Sequence, residues 1–243
     1  MKTLVLILHY NTLELTNSLY ESLSKYKSND YDLFILNNGS DKENESSYPS
    51  LNTGRNLYFG GGLDWAFKYM LKNKQYDSLL FLNSDLKIQG ENFVTLLRNE
   101  LFDNKLKMVS YSVEEDFAKA DAIWSQMAKQ TEHECRIVEW IDFQCPLIHR
   151  DVIEHIKEFS SKINIGFGHH YVCAFACEEK NWKIGVSDKK TVNHLGTSTA
   201  SVVFGDSSSY TRKATKQVIR YFRTYKNGKY RLKRKQWERL YSQ

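Results

Sequence analysis

Apolar residues along the chain fall into two alternating patterns. There are short unbroken runs, and there are longer stretches with an apolar position every three or four residues. The first pattern predicts buried strands and the second predicts helices with one face on a core, so together they predict an α/β fold. Residues 3–8 form the first run, and Leu15, Leu19 and Leu23 then mark one stripe of a helix expected over 14–26. A second strand is expected at 32–36. Strand, helix and strand so close together make a unit that requires parallel strands. The run at 79–82 predicts a third strand, buried on both faces. Further helices are expected near 63–73, 90–102, 151–159 and 171–180. Further strands are expected near 107–113, 137–143, 147–149 and 182–186. Residues 114–134 are polar and show no period.

The whole reads as one domain over 1–210, with a mostly parallel central sheet flanked by helices. A chain of 243 residues with 41% hydrophobic and 14% aromatic content can fill such a core. Charge changes the picture at one end. Twelve of the 34 Lys and Arg residues lie from Arg212 onward, with Glu238 as the single acid, so this segment carries +11 and the remainder −6. The pattern there predicts a basic, amphipathic helical tail over 211–243, with Val218, Ile219, Phe222 and Tyr225 on one stripe. Asn227-Gly228 would end its first helix, and a second basic segment would follow over 229–241.

Other classes are excluded by what the sequence lacks. The first apolar run ends at His9-Tyr10-Asn11 with no small-residue cleavage site after it, unlike a signal peptide. No run is long enough to cross a bilayer. Cys135, Cys145, Cys173 and Cys177 make no zinc or CxxC pattern; Cys173 and Cys177 have helical spacing among apolar neighbours, as buried thiols would. A reduced, cytoplasmic protein is expected, peripheral at the inner face of a membrane.

The candidate chemistry sits where strands end. The run at 79–82 stops at Asn83-Ser84-Asp85, so a carboxylate and an amide stand at a strand's carboxyl end, where open α/β sheets bind ligands. Asp85 suits a hard divalent cation. Gly60-Gly61-Gly62 is expected to precede the helix at 63–73 as a loop, either a close approach to an anion or a plain flexible turn. His169-His170 lies in a Gly-rich turn, either catalytic or merely exposed. His194 ends a late strand region, either structural or a ligand.

Four segments, in order, resemble family 2 glycosyltransferases of the GT-A fold, of the bacterial rhamnosyltransferase-like kind. Leu8-His9-Tyr10-Asn11 is similar to the family's opening T-Y-N. Asn37-Asn38-Gly39-Ser40 resembles D-N-x-S, and Asn56 with Phe59-Gly60-Gly61-Gly62 resembles N-x-G-F-G-G-G-N. Leu82-Asn83-Ser84-Asp85 resembles L-N-P-D, the family's form of the D-x-D metal motif. The match covers roughly the first 110 residues. It implies a nucleotide-sugar donor, UDP- or dTDP-linked, across His9, Tyr10, Asn11, Asn37, Asn56, Gly61, Gly62, Asn83 and Ser84. It implies metal ligation by Asp85 and His194. Asn37 stands where the family has Asp. Counting back from Trp182, His169-His170 stands where the family has Glu-Asp, which makes His170 the candidate base, with Glu178 and Glu179 as fallbacks. Asp142 is a candidate acceptor contact.

The implied activity is metal-assisted, inverting transfer of a sugar to a hydroxyl of a glycan or lipid-linked precursor. The tail would then meet an anionic membrane. Loss of the Glu-Asp pair motivates a second reading, a non-catalytic nucleotide-sugar-binding protein. A third, single-stranded nucleic acid on the basic tail, is opposed by the acidic remainder, and no nucleic-acid partner is expected.

Overall fold

A computed structural model of the chain describes residues 2–88, 90–114, 126–132, 134–195 and 207–228. Within these, nine strands join one sheet. They are β1 (Lys2–His9), β2 (Tyr31–Asn37), β3 (Ser50–Asn52), β4 (Tyr76–Asn83), β5 (Leu86–Ile88), β6 (Met108–Val113), β7 (Cys135–Val138), β8 (Leu147–His149) and β9 (Ile184–His194). The helices are α1 (Leu13–Ser24), α2 (Tyr58–Lys72), α3 (Phe93–Asp103), α4 (Arg150–Ile156), α5 (His169–Glu179) and α6 (Ser207–Phe222). The sheet order is β3-β2-β1-β4-β8-β6-β9-β5, and β7 also pairs with β9.

The apolar runs become the centre of the sheet. Leu4 to Ile7 and Leu79 to Leu82 are completely buried, as strands covered on both faces must be. Strands β3, β2, β1 and β4 are parallel throughout, as the first βαβ unit predicts. Beyond β4 the sheet is mixed. β8 runs antiparallel to both β4 and β6, β6 is parallel to β9, and β5 and β7 are antiparallel to β9.

Several boundaries differ from the pattern. The strand expected at 137–143 covers only Cys135–Val138, because the chain then turns to follow β4. β9 runs on to His194, where its partner β5 holds it. Pairing with β4 continues past β8: Phe81 N donates to Pro146 O at 3.1 Å and Asn83 N to Gln144 O at 3.1 Å. Pro146 has no N–H with which to return a bond.

Two arginines fix the layers. Arg98 on α3 grips both oxygens of Asp77 at 2.5 and 2.7 Å and reaches Thr3 Oγ1 at 2.9 Å, which ties α3 to the start of β1 and β4. Arg150 donates to the carbonyls of Met70, Asn73 and Tyr76. It thus satisfies the carboxyl end of α2 with a cation, where the helix dipole favours one.

Helix α6 is docked rather than free. Ala214, Val218 and Phe222 are buried, while Arg212, Lys213, Lys216, Arg220 and Arg223 are exposed on its other side. The expected boundary at 210/211 falls inside this helix. The second basic segment at 229–241 lies outside the described residues. The four cysteines are free thiols; Cys173 and Cys177 are buried on α5, and burial pushes the Cys177 thiol up to about 12. Among the described residues, no helix is long and apolar enough to cross a membrane.

Candidate functional site

β1 lies between β2 and β4. The chain leaves β1 toward β2 and later returns to its other side as β4, so the carboxyl ends of β1 and β4 border a topological switch point. Such a crevice is where open α/β sheets bind ligands. His9, Asn37 and Asn83 end the three neighbouring strands β1, β2 and β4 there.

The nucleotide-side residues separate into supports and open groups. His9 is fully buried, with Nε2 bonded to Asn44 O at 2.7 Å and Nδ1 to Thr16 Oγ1 at 2.8 Å. Both nitrogens are therefore engaged, and the ring braces the 42–44 turn instead of facing a ligand. Burial lowers its pKa, opposed by the Asn44 carbonyl. Asn11 has a left-handed φ of 51° and pairs its amide with Asp41, donating to the carboxylate at 2.7 Å and accepting from the backbone N–H at 2.9 Å. Asn37 Oδ1 accepts from Ser40 N at 2.9 Å and folds the loop after β2. Tyr10 and Asn83 are part-exposed beside them. Ser84 is buried and bonds Thr12 Oγ1 at 2.9 Å, joining β4 to the start of α1.

Asn38 has a larger part than the pattern gave it. Its Oδ1 accepts from Leu57 N and Thr53 Oγ1, and its Nδ2 donates to Asn56 Oδ1 and Tyr58 O. It clasps the β2 loop to the start of α2. The signal was present in Asn-Asn-Gly, but two adjacent amides cannot be told apart by spacing.

The three glycines are not a loop ahead of a helix. They belong to the first turns of α2, which begins at Tyr58. The amides that a phosphate would need are already taken: Tyr58 N by Asn56 Oδ1 at 2.7 Å, Phe59 N by Ile165 O at 3.3 Å and Gly60 N by Asn164 O at 2.7 Å. The glycines serve close packing. A β-carbon at Gly60 would overlap the His169 ring, and one at Gly62 would stand 2.8 Å from Leu8 Cδ1. Gly61 would meet only Leu57 on its own helix.

Beyond β4, Asp85 is buried and its carboxylate lies 3.1 Å from His194 Nε2 on β9. One carboxylate and one imidazole are ligand types that a Mn²⁺ or Mg²⁺ accepts. Among the described residues, no three His, Cys, Asp or Glu side chains converge to hold a metal by themselves. A metal here would need its remaining ligands from outside the described residues. The 142–146 segment runs alongside, carrying Asp142. Gln144 is buried there with neither amide atom bonded among the described residues. Tyr210, from α6, packs against Gly166 and Phe167. Burial and the carboxylates of Asp142 and Asp85 hold its hydroxyl well above the usual tyrosine pKa.

His170 opens α5 against the rings of Trp140, Phe143 and Tyr171, at 5.3, 6.2 and 4.0 Å. Burial, aided by His169, lowers its pKa to about 3. That keeps the imidazole neutral but makes it a weak proton acceptor, since a general base works best with a pKa near the operating pH. The fallback carboxylates stand apart. Glu178 is exposed, and Glu179 is paired with Lys226 and His155. His169 is buried and its Nδ1–H donates to Gly166 O at 3.1 Å, with its pKa lowered to about 4 by burial against opposing contributions from Gly166 and Asp64.

No family model matches the chain, and no curated protein matches it in sequence. Structural neighbours are glycosyltransferases. A structure of GalNAc-T7 with UDP, GalNAc and Mn²⁺ superposes with a TM-score of 0.64 at 12% identity, covering 93% of this chain and 48% of that one. S. aureus TarS 1–349 superposes with a TM-score of 0.56 at 12% identity, covering 98% of this chain and 78% of that one. A second S. aureus TarS structure gives 0.58 at 13% identity, covering 91% and 44%. The fold is GT-A-like. The chain spans about half the length of the GalNAc-T7 chain and of the second TarS chain.

In this GT-A-like frame, buried neutral histidines predict acid sensitivity. A histidine whose folded pKa is depressed contributes stability that is complete above about 6.5 and is lost as pH falls toward the folded value, because the unfolded chain takes up the proton first. For His169, with a folded pKa of about 4, this amounts to roughly 2 kcal/mol by pH 5. Urea midpoints should fall between pH 7 and 5, and His169→Gln should flatten that slope. An unchanged slope in the variant would contradict the assignment.

Proposed function

We propose that the protein transfers a sugar from a nucleoside-diphosphate donor to a hydroxyl acceptor. The observation that carries this reading is the Asp85–His194 pair, set at the end of β4 at the switch point of a GT-A-like sheet. GalNAc-T7, which shares the fold, has been solved with UDP, GalNAc and Mn²⁺. The strand order supports an orientation for the donor. Base and ribose lie at the ends of β2 and β1, near Tyr10, Asn11 and Asn37, with His9 as their support. The diphosphate lies at the end of β4, and the sugar beyond it beside the 142–146 segment.

Asp85 and His194 would hold a Mn²⁺ or Mg²⁺. When bound, the cation acts as a Lewis acid that neutralises charge on the leaving diphosphate. The acceptor oxygen bonds to the anomeric carbon as the bond from that carbon to the diphosphate oxygen breaks, with inversion. The acceptor proton passes to a carboxylate. Asp142 is the acceptor proposed for it, because its segment runs along the end of β4 through the Asn83–Gln144 bond, whereas the aromatic enclosure makes His170 a poor base. The lowered basicity of His170 also favours a second reading, donor binding without turnover. The basic face of α6 suits an anionic lipid surface, each exposed Lys or Arg adding about 1 kcal/mol there, and would bring the enzyme to a lipid-borne acceptor.

Three measurements test this reading. In a thermal-shift panel of UDP-, dTDP- and GDP-sugars with Mn²⁺, one donor should raise the melting temperature by several degrees at about 100-fold excess over its Kd. Asp85→Ala or removal of Mn²⁺ should abolish the shift; no shift with any donor would sink the reading. With the donor known, Asp142→Asn should lower turnover at least about 100-fold, and His170→Ala far less. Donor binding without turnover in any acceptor assay would favour the second reading. Finally, the full chain should sediment with phosphatidylserine-containing vesicles but not with neutral ones, and a fivefold rise in salt should release it. Equal binding to neutral vesicles would remove the electrostatic account.

A further inference from the structure

We infer that Gln144 is a specificity-determining residue for the transferred sugar, its side-chain amide hydrogen-bonding to hydroxyl groups of that sugar. The inference rests on the nucleoside-diphosphate reading above and deepens it, since it names a residue that reads the sugar and not the nucleotide.

The main chain sets the position. Asn83, the last residue of β4, donates its N–H to Gln144 O at 3.1 Å, so Gln144 stands at the carboxyl end of that strand. Phe81 N donates to Pro146 O in the same way, so the segment is held to β4 at two points. Asn83 itself is part-exposed in the crevice. The neighbours of Gln144 have other partners. The Phe143 ring meets the His170 ring edge-on, and Cys145 Sγ lies 3.1 Å from Ser110 Oγ.

The side chain supplies the second observation. Gln144 is 4% exposed, and neither its amide oxygen nor its nitrogen has a partner among the described residues. Four buried side-chain polar atoms lack a partner there, and two of them belong to this one amide. Other glutamines show what a structural amide does: Gln126 donates to Trp140 O at 2.7 Å, and Gln217 bridges Asn164 and Ile165. Gln144 bridges nothing. A buried amide left unpaired is a cost to the fold that carries it, and it calls for a partner from outside. The partner has to both accept and donate. A cation would satisfy only the oxygen, and an ionised diphosphate only the nitrogen. Adjacent hydroxyls satisfy both, because each can donate and accept. Glutamine has a flexible side chain, and turning its amide toward the crevice breaks no hydrogen bond, since none is made.

Gln144→Met keeps the unbranched shape and deletes both polar atoms. Isothermal titration with Mn²⁺ would compare wild type and variant against UDP, dTDP and GDP. The diphosphate that binds would then be tested as its glucose, galactose, N-acetylglucosamine and rhamnose conjugates. For the nucleotide sugar that binds wild type, the variant should lose about 10-fold or more in affinity, with the free diphosphate bound as before. Monodeoxy analogues of that sugar complete a cycle. At least one should bind wild type about 10-fold less tightly and lose nothing further in the variant. The ligand-free melting temperature of Gln144→Met should equal or exceed that of wild type, because an unpaired amide is gone. Unchanged nucleotide-sugar affinity in the variant would overturn the inference. So would equal losses for diphosphate and nucleotide sugar, or a fall of several degrees in the ligand-free chain, because Gln144 would then serve the fold. If the variant fails to fold, the deoxy series on wild type decides, and affinity indifferent to every hydroxyl sinks the idea. A wild type that binds a diphosphate but none of its conjugates overturns this inference alone. If no diphosphate binds, the donor reading fails and the inference falls with it.

Discussion

The double pairing of β4 is the constraint on which the rest depends. Along one edge β4 is parallel to β1, and along the other it is antiparallel to β8 and the residues before it. The first pairing makes the switch point. The second brings the 142–146 segment, from the far half of the chain, to the level of Asn83 and Asp85. Neither half contains a site alone. β1, β2 and β4 supply an open sheet edge with amides and one carboxylate. The segment before β8 and the end of β9 supply Asp142 and His194. Buried apolar runs hold this frame, since completely buried strands such as β1 and β4 cannot slip register without turning core residues to another layer.

Packing around α2 couples the two halves further. Three adjacent glycines allow the helix to lie close on β1 and on His169, and the 164–165 carbonyls close its first turn. The same arrangement explains why a glycine-rich helix start here is not a phosphate cradle. Its amides are spent on the protein, so the donor of the proposed function would have to be met elsewhere, by a cation held at Asp85.

Much of the parallel half was legible in the sequence, for a plain reason. Residues 3–7 and 79–82 are buried on both faces, and a short unbroken apolar run bounded by turn signals is what a central strand produces. The places of Asp85 and His194 in the fold were legible too, since Asp85 follows the end of β4 and His194 ends β9. The start of α2 was misplaced, since glycine carries no periodic signal and its role depends on Leu8 and His169, remote in sequence. The mixed half was harder. β5, β7 and β8 are three or four residues long, too short for a period, and their pairing is decided by partners elsewhere. His170 could be found by counting from Trp182, but its ring environment could not, as Trp140 and Phe143 come from another segment.

Pro146 gives the wall of the site a mechanical character of its own. The turn that carries Asp142 and Gln144 is moored to β4 through carbonyls alone, by donors from Phe81 and Asn83, and the ring of Pro146 removes the reciprocal bond at the point where β8 begins. The sheet is therefore stitched on both sides of β4 up to Leu147 and only basted beyond it. Beyond Leu147 the wall beside Asn83 is thus an extension of the sheet with its bonds running one way, completed by the burial of Phe143, Gln144 and Cys145 and by the Cys145–Ser110 contact.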